Sequence, residues 1–372
     1  MKKIAFLTTQ YNEVKSGPGR FTEYLKSLPF ENIRISFFSQ QISVQTKNEF
    51  PVHIPGWAQK VPFSSFLRAW FFNRALREAD KTELFDFILA ADYSMAMFLH
   101  PGLLKKTAVM VNDDNFLLIY SKEENRGAIP VRTSLSRKLG YFLEKSVVEK
   151  AAFTIVNSKY TKQLIEKVYQ VPPYKLKLLY KAVDVSWFAF VNRQVHAPKR
   201  FLFVKNDWKR GGLDMVLTAF AQLKFQETLV LRIAGISPSK QAEIRQLVVN
   251  SGFKGLVEIE GLVNREKLYQ LMCSSDVFVN FSRQEALGVS CLEAMASGLP
   301  VLASDAGGLK EVLDNGNAGF MVKNSDVTDL IRTLERMHSN PESLKQMAEA
   351  ARMHVLTFSA ERLKENMDRL FD

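Results

Sequence analysis

Val277-Phe-Val-Asn-Phe281-Ser-Arg-Gln-Glu285-Ala-Leu-Gly288-Val-Ser-Cys-Leu-Glu293-Ala-Met-Ala-Ser-Gly298-Leu-Pro300-Val301-Leu-Ala303 is the stretch that decides the fold. Its first five residues are an apolar run of the kind that forms a strand buried on both faces, and residues 301–303 repeat it. Between them, residues 289–296 predict a helix opened by Gly288 and made almost wholly of small or apolar side chains. A strand, a buried helix and a second strand in so short a span form a parallel crossover unit.

The same alternation extends in both directions. Strands are expected at 201–204, 229–234, 257–259 and 320–322, with helices at 213–223, 240–249, 265–272, 309–313, 327–337 and 344–354. The N-terminal half is less regular. Strands fit 4–7, 33–38, 85–90, 108–111 and 153–156; helices fit 21–28, 63–77 and 135–150. Alternation of this length predicts an α/β protein built on doubly wound parallel sheets. Ligands of such sheets bind outside the carboxyl ends of the strands.

The 372 residues are 47% hydrophobic and 24% charged. That composition excludes a disordered chain, a collagen or a disulfide scaffold. At about 100–200 residues per domain, two domains are expected. The division falls into 1–184, a linker at 185–199 with weak periodicity, and 200–357. A last helix over about 358–372 is expected to pack back on the first domain. Cys273 and Cys291 are too few for a framework or a zinc site and read as buried thiols in a reducing compartment. The apolar start, about five residues before Thr8, is too short for a signal peptide, and no apolar run reaches membrane-spanning length. A cytoplasmic location follows as the expectation.

The net charge of +11 is unevenly placed. Residues 1–195 hold 28 Lys and Arg against 17 Asp and Glu, whereas residues 196–372 hold 22 of each. An acidic partner such as a membrane surface or a phosphorylated substrate would meet the first half; the alternative is that the surplus serves solubility only. Nucleic acid is not expected, because no recognised binding module is present. Residues 62–77 are aromatic and basic. Phe63, Phe66, Leu67, Trp70 and Phe71 share one helical face, which reads first as core packing and second as a membrane-surface helix.

Several residues stand out chemically. Glu293 is the one carboxylate on a helix that is otherwise small or apolar, and a buried carboxylate is costly unless paired. Its partner is either a structural group such as a lysine or the hydroxyls of a ligand. The start of that helix, at Gly288 and Val289, offers free amides and a positive dipole end to a phosphate. Val204-Lys205-Asn-Asp-Trp-Lys209-Arg210-Gly211-Gly212 puts cations just after a strand. Ser16-Gly17-Pro18-Gly19-Arg20 follows the first strand, where glycines allow close approach of a ligand to the backbone. Thr22 stands at the third glycine position of a dinucleotide fingerprint and no acid follows the second strand, which argues against NAD.

Glu285-x7-Glu293 followed by Ala-x-Ala-x-Gly-x-Pro-Val closely resembles the signature of family 4 glycosyltransferases, retaining enzymes of the GT-B fold. Gly307-Gly308-x-x-Glu311, Phe153-Thr-Ile-Val-Asn-Ser158-Lys-Tyr160-Thr and Lys177-Leu-Leu-Tyr-x-x-Val-Asp184 extend the resemblance over nearly the whole chain. It implies two Rossmann-like domains facing across a cleft, the first for acceptor and the second for a nucleotide-diphosphate sugar. By resemblance, Glu285, Lys205 and Arg210 are catalytic, and Glu293 holds the ribose. Leu287, Gly288, Val289, Lys209, Gly17 and Gly19 complete the donor site, and Ser16, Arg20, Asn112 and Asp113 the acceptor side. The family implies transfer of a hexose with retention, by front-side attack in which the departing diphosphate takes the proton. No metal or cofactor is implied, since Lys205 and Arg210 supply the charge; the donor is expected to carry UDP or GDP. Acceptors would be glycans or lipid-linked sugars of lipopolysaccharide, polysaccharide or glycolipid assembly, at the inner face of a membrane that the protein meets peripherally. Asn112 stands where the family commonly has histidine. That substitution supports an alternative, a sugar-nucleotide or glycan-binding module without turnover.

Overall fold

The computed structural model describes residues 1–12, 17–61, 64–113, 117 and 135–372. Ser16 of the glycine turn and Phe63 of the aromatic segment lie outside them. The chain forms two compact units: one holds the described residues up to Ala182 together with Ala360–Asp372, the other Val183–Ser359.

In the first unit the elements run β1 (Lys2–Leu7), α1 (Gly17–Ser27), β2 (Ile33–Ser39), β3 (Glu49–Pro51), α2 (Gly56–Lys60), α3 (Ser64–Glu83), β4 (Phe87–Ala90), α4 (Tyr93–Ala96), α5 (Pro101–Leu104), β5 (Thr107–Val111), α6 (Leu135–Lys150), β6 (Phe153–Val156), α7 (Lys159–Tyr169) and β7 (Leu176–Leu178). The seven strands are parallel in the order β3-β2-β1-β4-β5-β6-β7. Side chains alternate across the sheet, as strand geometry requires. Ile4 and Phe6 enter a core with Phe21 and Leu25 of α1, while Ala5 and Leu7 enter one with Phe72 and Leu76 of α3 and Val148 of α6.

The second unit continues with β8 (Arg200–Val204), α8 (Leu213–Phe220), β9 (Val230–Ala234), α9 (Gln241–Ser251), β10 (Leu256–Gly261), α10 (Arg265–Cys273), β11 (Val277–Asn280), α11 (Val289–Ala296), β12 (Val301–Ser304), α12 (Leu309–Val312), β13 (Phe320–Val322), α13 (Val327–Ser339) and α14 (Glu342–Val355). Its six strands are parallel in the order β10-β9-β8-β11-β12-β13. The last helix, α15 (Ala360–Phe371), returns to the first unit. Leu363, Met367 and Phe371 are buried among Ile4, Phe6 and Leu89, and each such side chain contributes about 1.5–3 kcal/mol by leaving water. Asp368 on the same helix accepts from the Asn32 amide at 3.2 Å.

The structure corrects three expectations. Helix α3 buries its Phe66–Phe71 face only in part: Leu67 and Phe71 pack against the core, but Trp70 is 50% exposed, and the fully buried residues are Ala69, Phe72, Asn73, Leu76 and Ala79. Both sets have helical spacing, and the core lies between them. Cys291 is buried, but Cys273 is only half-buried. The segment read as a linker is anchored on the second unit. The Arg193 guanidinium there donates to Met272 O at 2.8 Å, Ser297 O at 2.9 Å and Ser275 O at 3.3 Å, and Phe188 is buried.

Candidate functional site

The strand order of the second unit reverses between β8 and β11, which lie side by side with Val277 opposite Phe201. Chains leaving two such strands diverge and open a crevice at their carboxyl ends. Lys205 follows β8 and the Phe281–Glu285 loop follows β11, so the topology brings together two segments about 80 residues apart in sequence.

The Lys205 ammonium donates to the Glu285 carboxylate and, at 3.2 Å, to Ser282 Oγ. Ser282 Oγ in turn donates to Asn280 Oδ1 at 2.5 Å, and Asn280 Nδ2 reaches Cys291 Sγ at 3.3 Å. Burial pushes the Cys291 thiol up to about 12. It is a packing group rather than a nucleophile. The two loops are stitched by Arg283, which forks onto Asp214 at 2.9 and 2.6 Å and whose amide donates to Arg210 O at 2.9 Å. Arg210 Nε donates to Gln284 O at 3.1 Å, so its guanidinium lies over the same loop.

Helix α11 starts at this crevice. Gly288, its N-cap, has φ +98°, and a Cβ there would sit 2.6 Å from Leu309 Cδ2. Any larger residue would be strained in backbone and blocked in space. Gly308 is excluded from substitution for a different reason: a Cβ would meet Ala286 O at 2.2 Å, and its amide donates to Glu285 O at 2.9 Å. These contacts press the Glu285–Leu287 turn onto the Gly307-Gly308 loop and aim the first amides of α11 into the crevice. The amides of Val289 and Ser290 have no intrahelical acceptor by position, and the helix dipole adds positive potential there. Glu293, 2% exposed, is one turn further along. At the opposite end Arg352 donates to Ala296 O at 2.6 Å and Arg193 to Ser297 O at 2.9 Å, so two cations hold the negative end of the helix.

Of the expected residues of this unit, Lys205, Arg210, Glu285, Leu287, Gly288, Val289 and Glu293 are thus gathered on two loops and one helix. Lys209 is not with them. Its ammonium pairs with Glu243 of α9 at 3.1 Å and lies over the Trp208 ring at 5.0 Å. Among the described residues no three His, Cys, Asp or Glu side chains group to hold a metal ion.

In the first unit, Gly17 and Gly19 begin α1 with Arg20 following. Asn112 and Asp113 follow β5. Asn112 Nδ2 donates to Ala91 O at 3.1 Å, and its backbone carbonyl accepts from Asn157 Nδ2 at 2.9 Å. Its Oδ1 is buried with no hydrogen-bond partner among the described residues. The Ser-x-x-Thr step is the N-cap of α7, with Ser158 Oγ accepting from Thr161 N at 3.0 Å.

Sequence reading missed Glu144, which is buried on α6 and accepts from the Tyr169 hydroxyl at 2.5 Å. Burial raises its carboxyl to about 8, opposed by the Tyr169 hydrogen bond and reinforced by Asp113 and Asp92. Nothing in the sequence links residues 144, 169 and 92, which the fold alone brings together. Because the folded pKa exceeds the ordinary value of 4.5, the native state holds an extra proton between about pH 4.5 and 8. Stability therefore falls as pH rises through that window, by at most ~5 kcal/mol in total, and levels off above it. Glu144→Gln is expected to flatten that slope, as read by denaturant midpoints at pH 5 and 8.5. An unchanged slope would assign it to other groups.

Residues 188–354 match the family described as glycosyl transferases group 1, and residues 21–187 match glycosyltransferase family 4. D-inositol 3-phosphate glycosyltransferase from Arthrobacter sp. is 30% identical over 165 residues, 43% of this chain and 39% of that protein. The chain spans about half the length, or less, of the curated relatives it matches first. Among solved structures, sucrose-phosphate synthase from Thermosynechococcus elongatus superposes with a TM-score of 0.75 at 17% identity, covering 100% of this chain and 98% of that one. HepE of Anabaena, solved with UDP-glucose, gives 0.73 at 14% identity, covering 100% and 99%. Identities this low speak to the fold, and the fold is GT-B. Two contiguous family matches spanning residues 21–354, laid on two parallel α/β units, make this chain a member of the family 4 glycosyltransferases.

Proposed function

We propose that this protein is a retaining glycosyltransferase that moves a hexose from a nucleotide-diphosphate sugar to a glycan or lipid-linked acceptor. The observation that carries the reading is the Lys205–Glu285 pair, set at the switch point beside the amide end of α11. The diphosphate would lie against the Val289 and Ser290 amides and the Lys205 ammonium, with the ribose hydroxyls on Glu293. An ionised carboxylate is acceptor-only and suits paired hydroxyl donors. As the bond between the anomeric carbon and the phosphate oxygen breaks, negative charge grows on the diphosphate, where Lys205 and Arg210 oppose it. The acceptor hydroxyl attacks from the same face and gives its proton to the departing phosphate oxygen. Glu285 holds Lys205 in place and meets the sugar. These cations do the work a metal does elsewhere, so no metal or other cofactor is needed.

UDP or GDP is the favoured carrier; the UDP-glucose found with HepE, a protein of the same fold, supports the first. The first unit takes the acceptor, through Arg20, Asn112 and Asp113. Lipopolysaccharide, polysaccharide or glycolipid assembly suits such an enzyme working in the cytoplasm, peripherally on the inner face of the membrane. The basic surplus of residues 1–195 supports that placement. No helix among the described residues is long and apolar enough to cross a membrane.

A panel of UDP-, GDP- and ADP-hexoses screened by thermal shift tests the reading. A donor at ~100 times its dissociation constant should add about 2.7 kcal/mol of stability. Stabilisation by none of the panel would overturn it. Stabilisation without release of nucleoside diphosphate in the presence of simple lipid or sugar acceptors would favour the binding module that Asn112 in place of histidine suggests.

A further inference from the structure

We infer that the second unit carries an effector pocket at the amino edge of its sheet, which takes a small molecule with an apolar body and an amino-acid head and tightens nucleotide binding. The effect on the nucleotide rests on the reading above; the pocket itself does not. The strap over residues 190–196 and the first half of α14 enclose a pocket of about 480 Å3, its mouth included. Asp276 and Pro300, which immediately precede β11 and β12, line it as well. The strands are parallel, so this is the edge opposite the crevice at Lys205 and the start of α11. The size suits an organic molecule rather than an ion. Its walls are apolar, with Phe190, Val191, Val195, Pro300, Leu344 and Ala348. Phe190 is 39% exposed and Val195 44%, although the strap that carries them is anchored through Arg193. Apolar side chains left open around one concavity, rather than scattered, mark a ligand site.

The polar groups of the same pocket define the head of the ligand. Asp276 is already engaged: its carboxylate accepts from the Lys199 and Arg200 amides at 2.9 Å each and from the Arg200 guanidinium at 3.2 Å. Four others, Asn192, Gln194, Lys345 and Glu349, make no side-chain hydrogen bond or ion pair among the described residues. Lys345 and Glu349 stand one turn apart on α14, a spacing at which they could pair, and neither takes the other. A ligand with a carboxylate and an ammonium gives each its counterpart, and the two amides can serve either group. A pure anion would face Glu349 and a pure cation Lys345. An apolar amino acid has the head, and its side chain suits the walls.

The strap is also what holds the far end of α11. Val191 N donates to Ser297 O at 3.1 Å, and Arg193 donates to the same carbonyl at 2.9 Å. The Phe190 ring lies flat against Gly298, where a Cβ would come within 2.5 Å of it. One wall of the pocket thus grips the helix whose first amides face the crevice. A ligand that fixes the strap fixes that helix and leaves less ordering for a nucleotide to complete, which is positive coupling between the two sites.

Isothermal titration of the full chain with L-phenylalanine, 3-phenylpropionate and phenethylamine tests the pocket. Phenylalanine should bind, and each compound that lacks one of its charges should bind about two- to fivefold more weakly. In Lys345→Ala, phenylalanine should bind no better than phenethylamine; in Glu349→Ala, no better than 3-phenylpropionate. Ala348→Leu fills the pocket and should abolish binding. Should that variant misfold, the two exposed charge variants give the answer. With phenylalanine saturating, UDP should bind roughly fivefold tighter. No binding of phenylalanine by wild type, or equal binding of all three compounds, would overturn the ligand assignment. Undiminished binding by both charge variants would overturn the site, and phenylalanine binding at unchanged UDP affinity would overturn the coupling. Phenylalanine binding by a protein that takes no nucleotide at all would sink the transferase reading alone and leave the pocket standing.

Discussion

Lys205→Ala is expected to lower kcat by about 10²–10³-fold while changing donor affinity far less. The asymmetry follows from where the charge appears. On the proposed reading the ground-state diphosphate would already have the α11 amides, whereas the charge that develops on bond cleavage would fall at the ammonium held between Glu285 and Ser282. Removing one preorganised donor aimed at developing charge costs rate rather than binding. Arg210→Ala should act in the same sense and more weakly, because its Nε is already engaged by Gln284 O. Single-turnover kinetics with saturating donor read both. Full kcat in Lys205→Ala would make this loop an ordinary basic turn.

Glu293→Gln should fold and yet lose about 10–100-fold in nucleotide affinity. The substitution keeps volume and a hydrogen-bonding head on a buried helix, so packing around Cys291, Leu292 and Met295 persists. What goes is the charge and its second acceptor. A hydrogen bond to a charged group contributes about 1.5–3 kcal/mol, which is that range of affinity. Glu293→Ala should lose as much affinity and also stability, since it empties space in a close-packed interior. Isothermal titration with nucleoside diphosphate, alongside denaturant melts, separates the two effects. Unaltered affinity in a folded Gln variant would give Glu293 to the scaffold.

Much of this was legible in the residues because the signals were local. The β11–α11–β12 unit declares itself by two apolar runs around a helix with one carboxylate, and the cationic loop by its place after β8. What escaped was decided by tertiary contacts. Strands β3 and β7 have three residues each, β3 ending in Pro51, and show no apolar run; they form because β2 and β6 offer free edges. The inward face of α3 could not be chosen from spacing, since two residue sets satisfy the same period. Lys209 read as a donor-site cation until α9 placed Glu243 beside it. The arginines that hold the far end of α11 lie at positions 193 and 352, remote in sequence from the helix they serve. Glu144 was invisible for the same reason: a carboxylate on an amphipathic helix gives no sign of being its buried one.

The central claim is that a nucleoside diphosphate group sits at the switch point of the second unit, against the start of α11. Amide hydrogen exchange with and without UDP or GDP measures this directly. The account predicts slowed exchange concentrated in residues 205–212 and 282–293, strongest at Val289 and Ser290, with α9, α13 and α14 unchanged. Binding accompanied by protection elsewhere, and none at the start of α11, would contradict it.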